Sequence, residues 1–276
     1  MLERTRGARP TRHALLWLVG LGAFFYASYG FANWLAGLRA NVPSVVFDWE
    51  REIPFVGWTI FPYWTTNLFY AASLLLCRTP EELRTHARRL LSAQLVAIAC
   101  FVLFPLKFSW PKPEVMGFFG FFYEALGAFD KPFNQAPSLH VALTVILSAF
   151  YFRLLPKALR WLFAGWSVLV VVSVLTTYQH HFIDIPLGAL LGLFCLWLWP
   201  FEAETPLRAW RLTDDARRRR LALFYALGAV TFAGAGMFGG GGWLWLLWPA
   251  LSLGLVSLAY LGFGTALFAK RDDGHM

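Results

Sequence analysis

His180 and Asp184 stand four positions apart, the spacing that puts two side chains on one face of a helix. A carboxylate that accepts from one imidazole nitrogen fixes the tautomer and leaves the other nitrogen with a lone pair, so such a ring is a nucleophile. His181 lies three positions from Asp184 and meets the same requirement, so spacing does not choose between the two. His140 follows Pro137 and Ser138 at what reads as the start of a different helix, where it could protonate a departing alkoxide. Upstream stand Lys107 and Lys112, in the run Lys107-Phe108-Ser109-Trp110-Pro111-Lys112-Pro113. Asn134 and Ser138 border the helix start itself. Cations converging with the amides of a helix N-terminus make an oxyanion site, which points to phosphate chemistry.

Each piece has a plainer structural reading. Lysines at a membrane boundary snorkel, Pro-Ser is an ordinary N-cap, a lone histidine can be a hydrogen-bonded core residue, and Asp184 at a helix start favours the macrodipole. The coincidence of all of them at one depth favours a functional cluster, because together they would make a poor apolar core.

The elements that must hold these residues are membrane helices. Of the 276 residues, 58% are hydrophobic and only 14% charged, where soluble domains run near a quarter. A bilayer core takes about 20 apolar residues per helix. Spans are expected near 14–38, 55–77, 90–106, 138–153, 159–179, 183–200, 221–238 and 243–269, the first as an uncleaved helix rather than a signal peptide. The fold class expected is therefore all-α: a polytopic bundle with a six-helix core and two further C-terminal transmembrane helices.

Charge placement gives the orientation. With the N-terminus in the cytoplasm, cytoplasmic segments hold 19 of the 24 lysines and arginines and the other side holds 5. This is the positive-inside pattern, with both termini cytoplasmic and the polar cluster facing the periplasm or outside. The net charge of +8 thus reads as lipid and topology, not nucleic acid. Cys77, Cys100 and Cys195 lie in or at the end of apolar runs as buried thiols. No set of His, Cys, Asp and Glu has metal-ligand spacing, so neither metal nor cofactor is expected.

Three modules follow: residues 1–200 as the catalytic core, 201–220 as a basic cytoplasmic loop, and 221–276 as two extra helices with a short cytoplasmic tail. The outer segment 105–137 carries an aromatic stretch, Val115–Phe129, expected as a helix lying in the membrane interface. Gly239–Gly242 reads as a tight outer turn.

At Lys107…Lys112-Pro113, Pro137-Ser138-Leu139-His140 and His180-His181-Phe182-Ile183-Asp184, the sequence resembles the type 2 phosphatidic acid phosphatase superfamily. The resemblance covers roughly residues 55–200. It implies a six-helix core, no metal, a phosphohistidine intermediate on His180 rather than His181, and His140 as the acid. Two departures bear on the substrate. The family's arginine in the first block is Lys112 here, and the arginine six residues before the nucleophile is Val174, beside Ser173. The strings Pro-Ser-Leu-His-Val-Ala and Gln-His-His-Phe-Ile-Asp look like the branch containing inositol phosphorylceramide and sphingomyelin synthases. That branch transfers a phospho-headgroup between lipids. A diester carries one negative charge where a terminal monoester carries nearly two, so fewer strong cations lean towards a diester.

The end from Gly264 resembles the junction of bacterial proteins that fuse this membrane module to a cytoplasmic dual-specificity phosphatase domain, which implies such a domain as a partner beside the lipid substrate and the bilayer. Three functions are in play: transfer or hydrolysis of a lipid phosphodiester headgroup, hydrolysis of a lipid phosphomonoester such as phosphatidic acid or a polyprenyl pyrophosphate, and transport through the polar cluster. Against transport, no expected span carries a mid-membrane Asp, Glu, Lys or Arg.

Overall fold

The computed structural model describes residues 9–201, 212–239, 243 and 246–262. Parts of several expectations lie outside them: Arg4 and Arg6, half of the basic loop (202–211), Gly240 to Gly242 of the glycine turn, and the tail from 263. Among the described residues there is no strand, and the chain forms the expected all-α membrane bundle.

Helix α1 runs Thr11–Gly37, α2 Ile60–Leu75 and α3 Pro80–Leu103. After α4, Gly117–Gly127, come α5, Leu139–Leu154, α6, Lys157–Thr176, and α7, Asp184–Leu198. Two further helices among the described residues are α8, Ala216–Gly239, and α9, Leu247–Gly262. Four of these, α1, α3, α6 and α8, are long and apolar enough to cross a membrane, and α5, α7 and Pro249–Gly262 within α9 are shorter apolar helices. The chain is a multi-pass membrane protein.

Helix α3 reaches further back than the third expected span. It begins at Pro80, ten residues before the apolar run at 90. Thr79 accepts at Oγ1 from the Glu82 amide (3.1 Å), Pro80 occupies the first turn, and Glu81 and Glu82 favour the helix dipole. Hydropathy alone sees only the apolar part of a helix whose first turns are charged. Within the second expected span, residues 57–59 form a 3-10 turn, and α2 starts only at Ile60. The interfacial stretch is helical as α4, shorter at both ends than 115–129.

Contacts divide the chain into two compact units, residues 1–201 and 202–276. In the first, α3 turns a stripe of Ala87, Leu90, Gln94, Ala97 and Phe101 into the core. Helices α5 and α7 approach closely because Gly188 and Gly192, one turn apart on α7, carry no Cβ. A methyl at Gly188 would collide with the Ser138 carbonyl, and one at Gly192 would lie 2.7 Å from the Val145 Cβ. Small residues at this spacing are the usual device for close helix contact in a bilayer, where apolar burial gives no drive. At the opposite end Arg89 donates to the Trp199 carbonyl (2.8 Å), and Arg89 and Arg153 stack on the Phe201 ring at 3.8 and 3.9 Å. In the second unit α8 and α9 pack antiparallel, with Ser257 donating to the Ala222 carbonyl (2.8 Å) and Tyr225 stacked on Tyr260.

Candidate active site

The turn between α6 and α7 carries the two adjacent histidines. It opens with Tyr178 in the left-handed region, φ 54°, an uncommon place for a bulky side chain. The Tyr178 hydroxyl donates to the Ile53 carbonyl (3.0 Å), and its ring packs on Phe55, Phe108 and Trp110. The amides of Gln179 and His180 both donate to the Val174 carbonyl (3.1 and 3.0 Å). The turn is therefore pinned before the chain re-enters a helix at Asp184.

His180 and His181 have different surroundings. His180 Nδ1 lies 3.1 Å from Asp184 Oδ2, which also accepts from the His181 amide (3.0 Å). His181 is engaged at both nitrogens. The Ser109 amide donates to its Nε2 (3.1 Å), so that nitrogen carries no proton, and Nδ1–H donates to Glu50 Oε2 (3.0 Å). Phe108 stacks on the His181 ring at 4.5 Å. Glu50 is fully buried and also accepts from the Phe182 and Phe47 amides, both at 2.9 Å. His181 is thus a buried tie between the α6–α7 turn, the loop before α2 and the segment after α3.

Helix α5 brings His140 to the same place. Ser138 caps α5, accepting from the Val141 amide (3.4 Å), while its own amide donates to the Asp184 carbonyl (3.1 Å). That last bond ties the start of α5 to the start of α7. The His140 ring stacks on Tyr63 of α2 at 3.8 Å between centroids, and its Nε2 is buried without a hydrogen-bond partner. His140 and His180 border one cavity of about 250 Å³.

Two of the expected phosphate contacts lie off the wall of this cavity. Lys107 is exposed and off the cavity wall, its amide donating to the Pro43 carbonyl (2.9 Å). Ser138 spends its hydroxyl on its own helix, as a capping serine does, and does not border the cavity. Asn134 does border it, with its amide nitrogen donating to the Tyr29 carbonyl (3.0 Å). Lys112 stands just off the wall. Its stem is exposed, but its ammonium reaches inward to Gln179 Oε1 (2.6 Å), next to His180 in the chain. Burial lowers the Lys112 pKa, and Asp130 raises it.

Asp130 is the cavity residue that sequence reasoning missed. It accepts at Oδ1 from the Tyr29 hydroxyl (2.8 Å). Burial pushes its carboxyl above the usual range, while Tyr29, Lys112 and His180 pull it back. Its signal was an acidic residue directly after the aromatic helix, but nothing local links it to Tyr29, 101 positions away. Glu50 was missed for the same reason, being 131 positions from His181.

The arrangement is an imidazole oriented by a buried carboxylate, a second imidazole across a shared cavity, and a further carboxyl in the wall. A family model described as the PAP2 superfamily matches residues 58–198, about half of the chain, and this stretch contains the histidine–aspartate pair, His140 and Lys112. No curated protein matches the chain.

Proposed function

The chain belongs to the PAP2 superfamily, a phosphatase-type family, and from that premise we propose that it transfers or hydrolyses the phosphodiester headgroup of a membrane lipid through a phosphohistidine. The observation that carries this reading is the shared cavity: His180, backed by Asp184 at 3.1 Å, and His140 both border it. His180 Nε2 attacks phosphorus while Nδ1–H stays on Asp184, which stabilises the cation that forms. The N–P bond forms as the P–O bond to the lipid alcohol breaks, and His140 gives its proton to that departing oxygen. In the second half, water or a lipid alcohol gives its proton to His140 and attacks phosphorus. The N–P bond breaks and His180 is restored.

Charge favours a diester. Val174, where the family's arginine would stand, is fully buried, and the cavity wall holds Asp130 instead of a lysine or arginine. A carboxylate repels a phosphomonoester dianion more than a diester monoanion. Eight spans, cytoplasmic termini and a site on the outer face of the inner membrane complete the proposal, on the lysine and arginine asymmetry.

The test supplies purified protein in lipid with labelled phosphatidic acid and labelled diester phospholipids. Each is run with and without a long-chain alcohol acceptor, and with a strong chelator. Expected are turnover of the diester, a labelled acceptor lipid or released headgroup phosphate, and activity that survives chelation. Turnover of phosphatidic acid alone would move the assignment to a monoester phosphatase. Loss on chelation, restored by one divalent ion, would overturn the metal-free mechanism.

A further inference from the structure

We propose that the cavity beside His180 and His140 continues along the bundle as a slot for one hydrocarbon chain of the lipid substrate. The chain enters between α1 and α2, and Gly22 sets the width of the opening. This rests on the lipid-directed reading above and adds where the tail lies.

The cavity lining follows helix faces. On α1 it is Leu18, Gly22, Phe25, Tyr26 and Tyr29, spaced so that all five lie along one side of the helix. On α2 it is Tyr63, Trp64, Asn67, Tyr70 and Ala71, again one side. From Tyr29 to Leu18 is eleven residues, about 16 Å at the helical rise. The reacting end holds His180, His140, Asp130 and Asn134, and the far end holds Leu18 and Ala71. One space thus joins a polar head to an apolar length, the division of an amphiphile. The slot stops at a polar pair, where Gln94 of α3 donates to the Tyr70 hydroxyl (3.1 Å).

Its side is open. Tyr26 on α1 and Asn67 on α2 border the cavity and are exposed, and Gly22, one turn before Tyr26 on α1, borders it too and is half-buried. A Cβ built at Gly22 meets nothing within 4 Å, so the glycine leaves space rather than permitting a helix contact. The occupant is a membrane lipid, because the opening lies on the flank of two apolar helices and the space is continuous with the reacting histidines. A chain leaving lipid for a protein slot gains little apolar burial, since lipid tails are as apolar as leucine. The slot therefore acts by position. It holds the phosphate ester at a fixed depth beside His180, which raises turnover more than affinity.

Two diesters with the same leaving group separate the tail from the chemistry: octadecyl p-nitrophenyl phosphate and methyl p-nitrophenyl phosphate. Wild type is expected to favour the octadecyl ester. Gly22→Phe fills the opening and should lower kcat/KM for the octadecyl ester at least tenfold, leaving the methyl ester within twofold. Gly20→Phe, at an exposed position with open space and off the cavity wall, should leave both unchanged. Equal losses on both esters, or no loss on either, with Gly22→Phe would overturn the slot. An octadecyl phosphate with a diazirine at the chain end tests it without turnover. Labelling at Leu18 or Ala71 in wild type, lost in Gly22→Phe, is expected, and labelling confined to other helix faces overturns the proposal. If wild type cleaves neither ester while the label still maps to Leu18 or Ala71, the proposed reaction fails and the slot stands.

Discussion

His181 has both ring nitrogens engaged, one by the Ser109 amide and one by Glu50, so it has no lone pair to offer phosphorus without breaking a buried bond. The His180 ring is hydrogen-bonded at Nδ1, to Asp184, and borders the cavity. The two therefore separate by mutation. His180→Ala should abolish the acid-labile adduct and lower turnover by a factor on the order of 10⁴. His181→Gln should keep the adduct on His180 and instead lower the melting temperature, because the buried Glu50 loses its imidazole partner and keeps only the Phe47 and Phe182 amides. Mass spectrometry of protein trapped with labelled substrate, alongside thermal unfolding in detergent, reads both. An adduct on His181 in wild type would reverse the assignment. Asp130 gives a pH prediction. Its carboxyl is raised by burial, so the folded state holds this proton more tightly than the unfolded chain. Its contribution to stability is complete in acid, below the unfolded carboxylate range, and is lost as pH rises through the raised value. Asp130→Asn, which keeps an acceptor for Tyr29, should therefore flatten the decline in melting temperature from acid to neutral pH. An unchanged pH profile would show that Asp130 titrates as an ordinary carboxylate.

At the scale of elements, the site exists because α5 and α7 start at the same point. Gly188 lets α7 approach the Ser138 carbonyl, and the Ser138 amide in turn donates to the Asp184 carbonyl. Gly188→Leu should force the two helices apart, at a cost of about 1–3 kcal/mol as overpacking, and should lower turnover by moving His140 away from His180. Gly165→Leu on α6, where a Cβ meets nothing, is the matched control and should melt as wild type does. A Gly188→Leu protein with unchanged melting and turnover would remove this contact from the account of the site. The Tyr178 turn works on the same scale. Its left-handed backbone is tolerated because the side chain is held by Ile53 and three aromatic neighbours.

For the whole molecule, the basic residues predict which side the site faces. A cysteine at Glu114, exposed in the segment between α3 and α4, should label from outside intact cells, and one at Thr213, just before α8, should not. The readout is a membrane-impermeant maleimide applied before and after lysis. Labelling of Thr213→Cys with protection of Glu114→Cys would invert the topology.

Local sequence determined the apolar helices, the cap at Ser138 and the four-residue spacing of His180 and Asp184, because each depends on neighbours within about a turn. It did not show where α3 begins, since charged first turns hide from hydropathy although Thr79-Pro80-Glu81-Glu82 was there to be read. Spacing also left His180 and His181 equivalent. Only the tertiary structure distinguished their surroundings, by bringing Glu50 and Ser109 to one ring and the cavity to the other. Asp130 and Tyr29 likewise meet only because α1 packs beside the segment after α4. A lysine's place in a motif did not fix where its ammonium goes. Lys107 stays exposed while Lys112 reaches Gln179, and that difference is set by the path of the loop after α3. Helix periodicity is a local property of the backbone, whereas the surroundings of a buried charge are assembled from segments more than a hundred residues apart.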